Sequence, residues 1–448
     1  MKILNRYVCS NCAYEHSKWL GKCPGCGMWN TLLEESSVVK TAARNLSRIE
    51  AVPLHSIPTE DIKRCSTGLG ELDRVLGGGL VPGTVVLLGG NPGIGKSTLL
   101  LQVAQAIARQ GERILYLCGE ESLHQIRLRS LRLQVDSASI YLLAEQNIDL
   151  LATYIEEIKP TAVIIDSIQA VYCSDVSSIP GSVVQLRECT ARITEIAKKH
   201  HITFFLIGHV TKEGVIAGPK VLEHMVDVVI SFEGEKSFSF RILRGVKNRF
   251  GSTDEIGLLE MGEDGLHEVL DPASIFLSSQ TVFTPGNAIS TSVEGSRPLL
   301  IEVQALVSPA GPGHPKRMAA GIDQNRLALI TAVLEKRLGF HLSACDVFVK
   351  VTGGVFLKDP SVDFGIAAAI VSSHLDLIIP ANTVFIGELG LSGQIRPIPC
   401  LDLRLKEITK MGYQRVVIPK QGKNLSIPNL LCIEVQTIDE MIELIREG

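Results

Sequence analysis

No stretch of about 20 consecutive apolar residues occurs anywhere in the 448-residue chain, which argues against a membrane-spanning helix. The N-terminal run MKILNRYVCS lacks the apolar core of a secretory leader, so the chain reads as cytosolic. There is no internal repeat and no low-complexity tract. Nor is there an excess of positive charge: 44 Lys and Arg stand against 48 Asp and Glu, a formal net charge of −4. A protein that coats nucleic acid with its whole surface is usually basic. Any nucleic-acid site here therefore has to be a local basic patch or the lumen of a ring. What remains is ordinary globular composition, 45 % hydrophobic and 21 % charged. The length predicts two or three domains.

Cysteine is the first informative residue type. Four of the 11 lie in the first 26 residues, as Cys9-x-x-Cys12 and Cys23-x-x-Cys26. Each C-x-x-C turn supplies two thiolates, and a tetrahedral Zn²⁺ takes four, so a structural zinc ribbon is expected over residues 1–32. A module of this size cannot bury enough surface to fold without the metal. His16 falls between the pairs and is read as a bystander, since four cysteines fill the site. Both tryptophans, Trp19 and Trp29, belong to this module. They are either its core or an aromatic contact presented to a partner. The other seven cysteines (Cys65, Cys118, Cys173, Cys189, Cys345, Cys400, Cys432) read as small buried hydrophobes of a protein kept in a reducing compartment.

Residues 33–56 have no firm periodicity and are expected to form a linker. From about residue 57 apolar runs alternate with helical segments: 84–88, 114–118, 162–165 and 203–207. Nearly continuous apolar strands alternating with helices predict a mainly parallel sheet covered on both faces. Between the first run and the next helix stands Gly90-Asn91-Pro92-Gly93-Ile94-Gly95-Lys96-Ser97, followed by Thr98, which matches the phosphate-binding loop G-x-x-x-x-G-K-[ST] in the right context. Its glycines let backbone N–H groups turn toward the phosphates at a helix N-terminus. Lys96 is expected at the β/γ-phosphates and Ser97 at Mg²⁺. Asp166, at the tip of AVIID, is the second candidate for the magnesium shell. Glu120, after ILYLCG, is the candidate general base, with the adjacent Glu121 not separable from it by periodicity. His209, at the tip of the next strand, is placed to sense the γ-phosphate.

These features in this order resemble the bacterial RadA (Sms) family of DNA recombination and repair proteins over essentially the whole chain. The resemblance rests on the ribbon ending CPGCGMWN, the loop GGNPGIGKST, the segment GEES at residues 119–122, Lys247-Asn-Arg-Phe-Gly251, and a C-terminal region from residue 271 like the Lon proteolytic domain. It implies a RecA-like ATPase core at 57–270 in a helicase-like hexameric ring. It further implies a DNA-stimulated ATPase on single-stranded and branched DNA that drives branch migration with the RecA recombinase. Lys247 and Arg249 would supply cationic groups near a neighbour's nucleotide or the DNA; from the residues alone this segment equally suits a solvated turn. A kinase or signalling ATPase of the same superfamily is the competing reading of STGLGELDRVLGGGLVPG.

Expected DNA-facing loops are 171–181 and 210–220, the latter with Lys212 and Lys220. Arg127, Arg129 and Arg132 form a basic cluster that suits either phosphate contact or a solvated face. In residues 271–448 the Lon-like serine falls at Ser361, within Pro360-Ser361-Val362-Asp363, where Asp363 replaces the glycine of the Lon motif. The lysine position falls on Asp402, with Lys406 one helical turn on. A carboxylate cannot activate a serine as a lysine does, so an inactive protease scaffold is expected. Lys316, Arg317, Lys336, Arg337 and Lys350 would either offer a basic surface to DNA or form an ordinary solvated surface.

Overall fold

A computed structural model describes residues 3–9, 14–25, 27–38, 53, 64–209, 221–234, 239–269, 276–277, 284–311, 314–354, 356–421 and 427–446. It divides into two units, Met1–Glu268 and Val269–Gly448. The first begins with a three-stranded antiparallel sheet in the order β2-β1-β3, formed by β1 (Ile3–Cys9), β2 (Glu15–His16) and β3 (Leu32–Val38). β3 pairs with β1 along its full length, Cys9 opposite Leu32 and Ile3 opposite Val38. This corrects the expected start of the linker at residue 33: the ribbon sheet runs on to Val38. Residues 39–52 and 54–56 of that linker lie outside the described residues.

Further along the first unit runs a nine-stranded sheet. Its strands are β4 (Val85–Gly90), β5 (Ile114–Cys118), β6 (Ile140–Leu143), β7 (Ala162–Asp166), β8 (Thr203–His209), β9 (Val228–Glu233), β10 (Phe240–Asn248), β11 (Ile256–Gly262) and β12 (Gly265–Glu268). The order is β12-β11-β10-β9-β4-β8-β7-β5-β6. From β9 to β6 every pairing is parallel. From β9 to β12 the sheet continues as an antiparallel meander. The four apolar runs are β4, β5, β7 and β8, buried along nearly their whole length as strands covered on both faces must be.

Side-chain alternation divides these strands between two cores. Val86, Leu88, Tyr116, Ile164 and Phe205 join one apolar cluster with α1 (Gly70–Leu76) and α2 (Lys96–Arg109). Val85, Leu87, Leu115, Leu117, Val163 and Phe204 join the other with α4 (Leu151–Ile158) and α5 (Val183–His200). Between them in sequence, α3 (Leu123–Arg132) opens with a capping box in which Ser122 and Gln125 satisfy each other's backbone amides. The short α6 (Val221–Met225) precedes β9.

The second unit has a seven-stranded mixed sheet: β13 (Asn287–Glu294), β14 (Arg297–Pro309), β15 (Arg317–Ala320), β16 (Cys345–Val351), β17 (Thr383–Phe385), β20 (Arg415–Pro419) and β21 (Leu431–Val435). Their order is β15-β16-β14-β13-β17-β20-β21, and a separate two-stranded ribbon joins β18 (Glu388–Leu389) to β19 (Ile395–Arg396). Among the described residues four longer α-helices accompany it: α7 (Gln324–Leu338), α8 (Asp363–Leu375), α9 (Leu401–Lys410) and α10 (Ile438–Arg446). Among the described residues no helix is long and apolar enough to cross a membrane.

Candidate functional site

In parallel α/β sheets ligands bind beyond the carboxyl ends of the strands. Here the carboxyl ends of β4, β8, β7 and β5 carry, in spatial order, the phosphate-binding loop, His209, Asp166 and Glu120. The loop needs its glycines for stated reasons. A Cβ on Gly90 would stand 2.6 Å from the carbonyl oxygen of Phe232, and Gly95 has φ +115°. Arg241 fixes the loop from β10, its Nε donating to the carbonyl of Ile94 over 3.1 Å. Lys96 opens α2, and its Nζ donates to the carbonyls of Gly90 (2.7 Å) and Asn91 (3.0 Å). Burial lowers the Lys96 ammonium to about 8, although nearby Asp166 and Glu120 pull it upward.

His209 stands between the cation and a carboxylate. Its Nδ1 is 3.4 Å from Lys96 Nζ and its Nε2 is 3.3 Å from Glu120 Oε1. The same Glu120 oxygen accepts a hydrogen bond from the Ser167 hydroxyl. Glu121, adjacent in sequence, turns elsewhere and forms an ion pair with Arg129 of α3 at 2.7 Å. Asp166 Oδ2 accepts from the Tyr116 hydroxyl at 2.6 Å. Burial and the Asp166 carboxylate together push the Tyr116 phenol well above its usual range, so it remains a donor. Lys96, Ser97, Glu120, Asp166 and His209 thus share one end of the sheet. Tyr116, Ser167 and Arg241 join them without having been singled out by any motif. The loop, the helix N-terminus and the acidic tip at Asp166 suit a nucleotide phosphate chain with its Mg²⁺.

Lys247 and Arg249 stand at the other end. Lys247 Nζ donates to the carbonyls of Glu223 (2.8 Å), His224 (3.2 Å) and Val226 (2.7 Å), closing the C-terminus of α6. Burial and the neighbouring Arg249 lower its pKa. Arg249 pairs with Asp227 at 3.3 Å, and Asp227 Oδ2 accepts the backbone N–H of Val85. Val85 begins β4 and the phosphate loop follows its last residue, a distance of about 17 Å along the strand. Arg249 therefore does not reach the loop of its own chain. The solvated-turn reading of this segment is corrected for Lys247, which is a helix cap.

Other expectations change as well. Segment 171–181, one of the expected DNA-facing loops, is tied down: Gln185, 1 % exposed, bonds the backbone of Cys173, Val176 and Ser178, and Arg192 ties Asp149 to Asp175. Segment 210–220, with Lys212 and Lys220, lies outside the described residues. In the basic cluster, Arg129 holds Glu121 and Arg127 holds Asp136 at 3.0 Å, while Arg132 is exposed. Of the scattered cysteines, Cys118, Cys173 and Cys189 are buried, Cys65, Cys345 and Cys432 are half-buried, and Cys400 is exposed.

In the ribbon, Cys9 and Cys23 are buried together in one small cluster with Leu32. Backbone bonds from Cys23 N–H to Met28 and from Gly27 N–H to Cys23 shape the second knuckle. Two enclosed thiols on two knuckles fit a zinc site; Cys12 and Cys26, the other expected ligands, lie outside the described residues. His16 bonds the backbone of Lys18 instead. Trp19 and Trp29 are exposed, which corrects their reading as core.

The second unit replaces a catalytic dyad with a buried ion-pair network. Ser361 is fully buried and donates to the carbonyl of Thr291 over 2.8 Å. It accepts from Arg404 Nη1 at 2.8 Å, and Arg404 Nη2 pairs with Asp359 at 2.7 Å. Burial would raise the Asp359 carboxyl, but the Arg404 guanidinium and the amides of Ser361 and Val293 hold it below its usual range. Asp363 pairs with Arg326 at 2.5 Å, while its burial raises its pKa. Asp402 and Lys406, the expected lysine position and its substitute, are both exposed on α9. The group facing Ser361 is Arg404, and a guanidinium cannot accept a proton. Of the expected basic surface, Arg317 is engaged with the carbonyls of Lys316, Cys345 and Leu342, while Lys316, Lys336, Arg337 and Lys350 are exposed.

Comparison with known proteins agrees with these three parts. Family models match at residues 7–34 (rubredoxin metal binding domain), 54–215 (AAA domain) and 323–422 (subunit ChlI of Mg-chelatase). The P-loop domain implies ATP with Mg²⁺ and the ribbon implies Zn²⁺. DNA repair protein RadA of Bacillus subtilis is 49 % identical over 425 residues, covering 93 % of each chain. Proteins of the same name from Halalkalibacterium halodurans and Listeria monocytogenes are each 48 % identical, covering 98 % and 99 % of this chain and 98 % of their own. The chain belongs to the DNA repair protein RadA family.

Proposed function

We propose that this chain is a cytoplasmic DNA-stimulated ATPase of DNA repair that acts on recombination intermediates. In this reading it promotes branch migration of strand exchange, together with a RecA recombinase, as a homo-hexameric ring on single-stranded and branched DNA. Family membership supports the repair setting, and the Lys96–His209–Glu120 arrangement is the observation that carries the motor reading. It links a phosphate-binding cation to a carboxylate through one imidazole, so that a change at one is felt by the other.

The roles follow from position. The loop from Gly90 to Gly95 and the first turn of α2, with Lys96, Ser97 and Thr98, hold the phosphates of ATP. Ser97 and Asp166 would hold Mg²⁺, which neutralises charge on the phosphoryl oxygens when bound. Glu120, steadied by Ser167 and His209, orients and deprotonates the attacking water; Glu121 is committed to Arg129. His209 senses the γ-phosphate. Arg249, about 17 Å along the strand from its own loop, acts in trans on a neighbour's nucleotide, as a ring permits. Cys9, Cys12, Cys23 and Cys26 would hold a structural Zn²⁺. The second unit serves as a scaffold without proteolysis, because Ser361 is enclosed and faces an arginine.

The test is ATP hydrolysis with and without single-stranded DNA, for the wild type and Lys96→Ala. Stimulation by DNA that disappears in the variant supports a DNA-coupled motor; a rate indifferent to DNA contradicts it.

A further inference from the structure

The ribbon presents its large aromatic side chains to solvent. Trp19 is 55 % and Trp29 70 % exposed, with Met28 and Tyr14 also outward. A module this small has little apolar surface with which to stabilise itself, so leaving both indoles outside works against its own folding. Among its described residues Cys9, Cys23 and Leu32 are inside, with Tyr7 and Leu20 partly covered.

The two rings are arranged around one backbone position. A Cβ added to Gly21 would touch Cζ3 of Trp29 at 3.6 Å and Cη2 of Trp19 at 3.7 Å, so both indoles converge on the same glycine. The segment beneath them is fixed by short-range pairing: Lys22 bridges Trp29, Asn30 N–H donates to the carbonyl of Gly21, and Cys23 N–H donates to that of Met28. The rings therefore sit on a backbone already held in shape. Lys22 Nζ lies 5.8 Å from the Trp29 ring centroid, within the range of a cation–π contact. Between Tyr14 and Thr31 the chain has two lysines, Lys18 and Lys22, and one carboxylate, Glu15.

Two exposed indoles around one glycine, with Lys22 beside one of them, fit a strand of bases joined by phosphates. Exposed aromatics also anchor protein interfaces, but lysine is depleted there, and the lysines beside these rings favour a polyanion. We propose that Trp19 and Trp29 form a stacking platform for single-stranded DNA, with Lys18 and Lys22 meeting its phosphates. This rests on the reading of the chain as DNA-acting but places a contact on a surface separate from the ATP site.

The chain has two tryptophans and both are in this patch, so intrinsic tryptophan fluorescence reports on it alone. Full-length, zinc-loaded protein is titrated with end-labelled oligo(dT), and tryptophan emission and label anisotropy are read in parallel. The expected result is saturable quenching of emission that follows the anisotropy and weakens with added salt. Polyphosphate, which carries the charge without bases, is expected to leave emission unchanged. Trp19→Ala and Trp29→Ala should each weaken oligo(dT) binding about five-fold or more, with Trp29→Phe restoring most of it. Zinc content checks that each variant keeps its fold, and the wild-type titration decides the matter even if a variant does not. Oligo(dT) binding with unchanged emission, or equal quenching by polyphosphate, overturns the platform and leaves the DNA-stimulated ATPase standing. Absence of both oligo(dT) binding and ATPase stimulation overturns both readings.

Discussion

The hydroxyl of Tyr116 donates to Oδ2 of Asp166 over 2.6 Å from a position wholly closed to solvent. A carboxylate held in this way keeps one oxygen occupied and presents the other. Tyr116→Phe preserves the packing of β5 and removes that hold. The expected result is a rise of about ten-fold in the Mg²⁺ concentration needed to tighten nucleotide binding. The stability loss should be about 1 kcal/mol, the worth of one hydrogen bond. Mg²⁺ titration with a fluorescent nucleotide, beside a thermal melt, separates the two effects; an unchanged Mg²⁺ requirement removes Tyr116 from this role.

Lys96 gives a pH prediction. Its folded pKa is about 8, against an ordinary value of 10.5, because burial disfavours the cation. Between these values the unfolded chain binds more protons, so the folded chain gains stability as pH rises through that window. At pH 7 the buried cation costs up to about 3 kcal/mol. Without nucleotide, Lys96→Met should thus be more stable than the wild type at pH 7, and the gap should close between pH 8 and 10.5. Denaturant unfolding across that range checks it; a constant gap contradicts it.

Much of this site was legible in the sequence because its signals are local. The phosphate loop is contiguous, and Asp166, Glu120 and His209 each end or follow an apolar run that reads as a buried strand. The rest depends on distant partners. Tyr116 sits in ILYLC as an ordinary apolar residue, and its contact lies 50 positions away. Arg241 bonds a carbonyl 147 positions earlier. In the second unit, placing the lost lysine at Asp402 missed the residue that matters. On helix α9 Arg404 turns inward while residues two positions either side turn out, and only packing reveals which. The ribbon's length was underestimated because β3, Leu32–Val38, is half polar and is a strand only through its pairing with β1.

That network predicts loss of stability without loss of catalysis. Arg404→Met leaves Asp359 buried without its counter-charge, at a cost of about 3–5 kcal/mol. Ser361→Ala removes a buried donor to Thr291 and should cost about 1–3 kcal/mol. Casein digestion should be absent in wild type and Ser361→Ala alike, with equal ATPase rates per folded molecule. Serine-dependent proteolysis in the wild type would contradict the scaffold reading.

Arg249 is half exposed but Asp227 is buried, so Arg249→Ala should cost about 1–3 kcal/mol, softened because Asp227 keeps the Val85 amide. Lys247→Ala should also lose stability, since the carbonyls of Glu223 and His224 in α6 and of Val226 just after it lose their donor. If Arg249 acts across a subunit boundary, Arg249→Ala and Lys96→Ala chains are each inactive alone but recover part of the ATPase rate when mixed. No recovery over the sum of the separate rates removes the trans role.

The central claim is that Glu120, held by Ser167 and His209, is the base of ATP hydrolysis, while Glu121 is structural. Single-turnover hydrolysis beside nucleotide affinity, for Glu120→Gln and Glu121→Gln, tests it most directly. The account predicts that Glu120→Gln binds ATP with nearly wild-type affinity and hydrolyses it about a hundred-fold or more slowly. Glu121→Gln should lose stability with its Arg129 pair and retain the chemical step. A Glu120→Gln variant that hydrolyses at the wild-type rate, or a selective loss of chemistry in Glu121→Gln, would contradict the account.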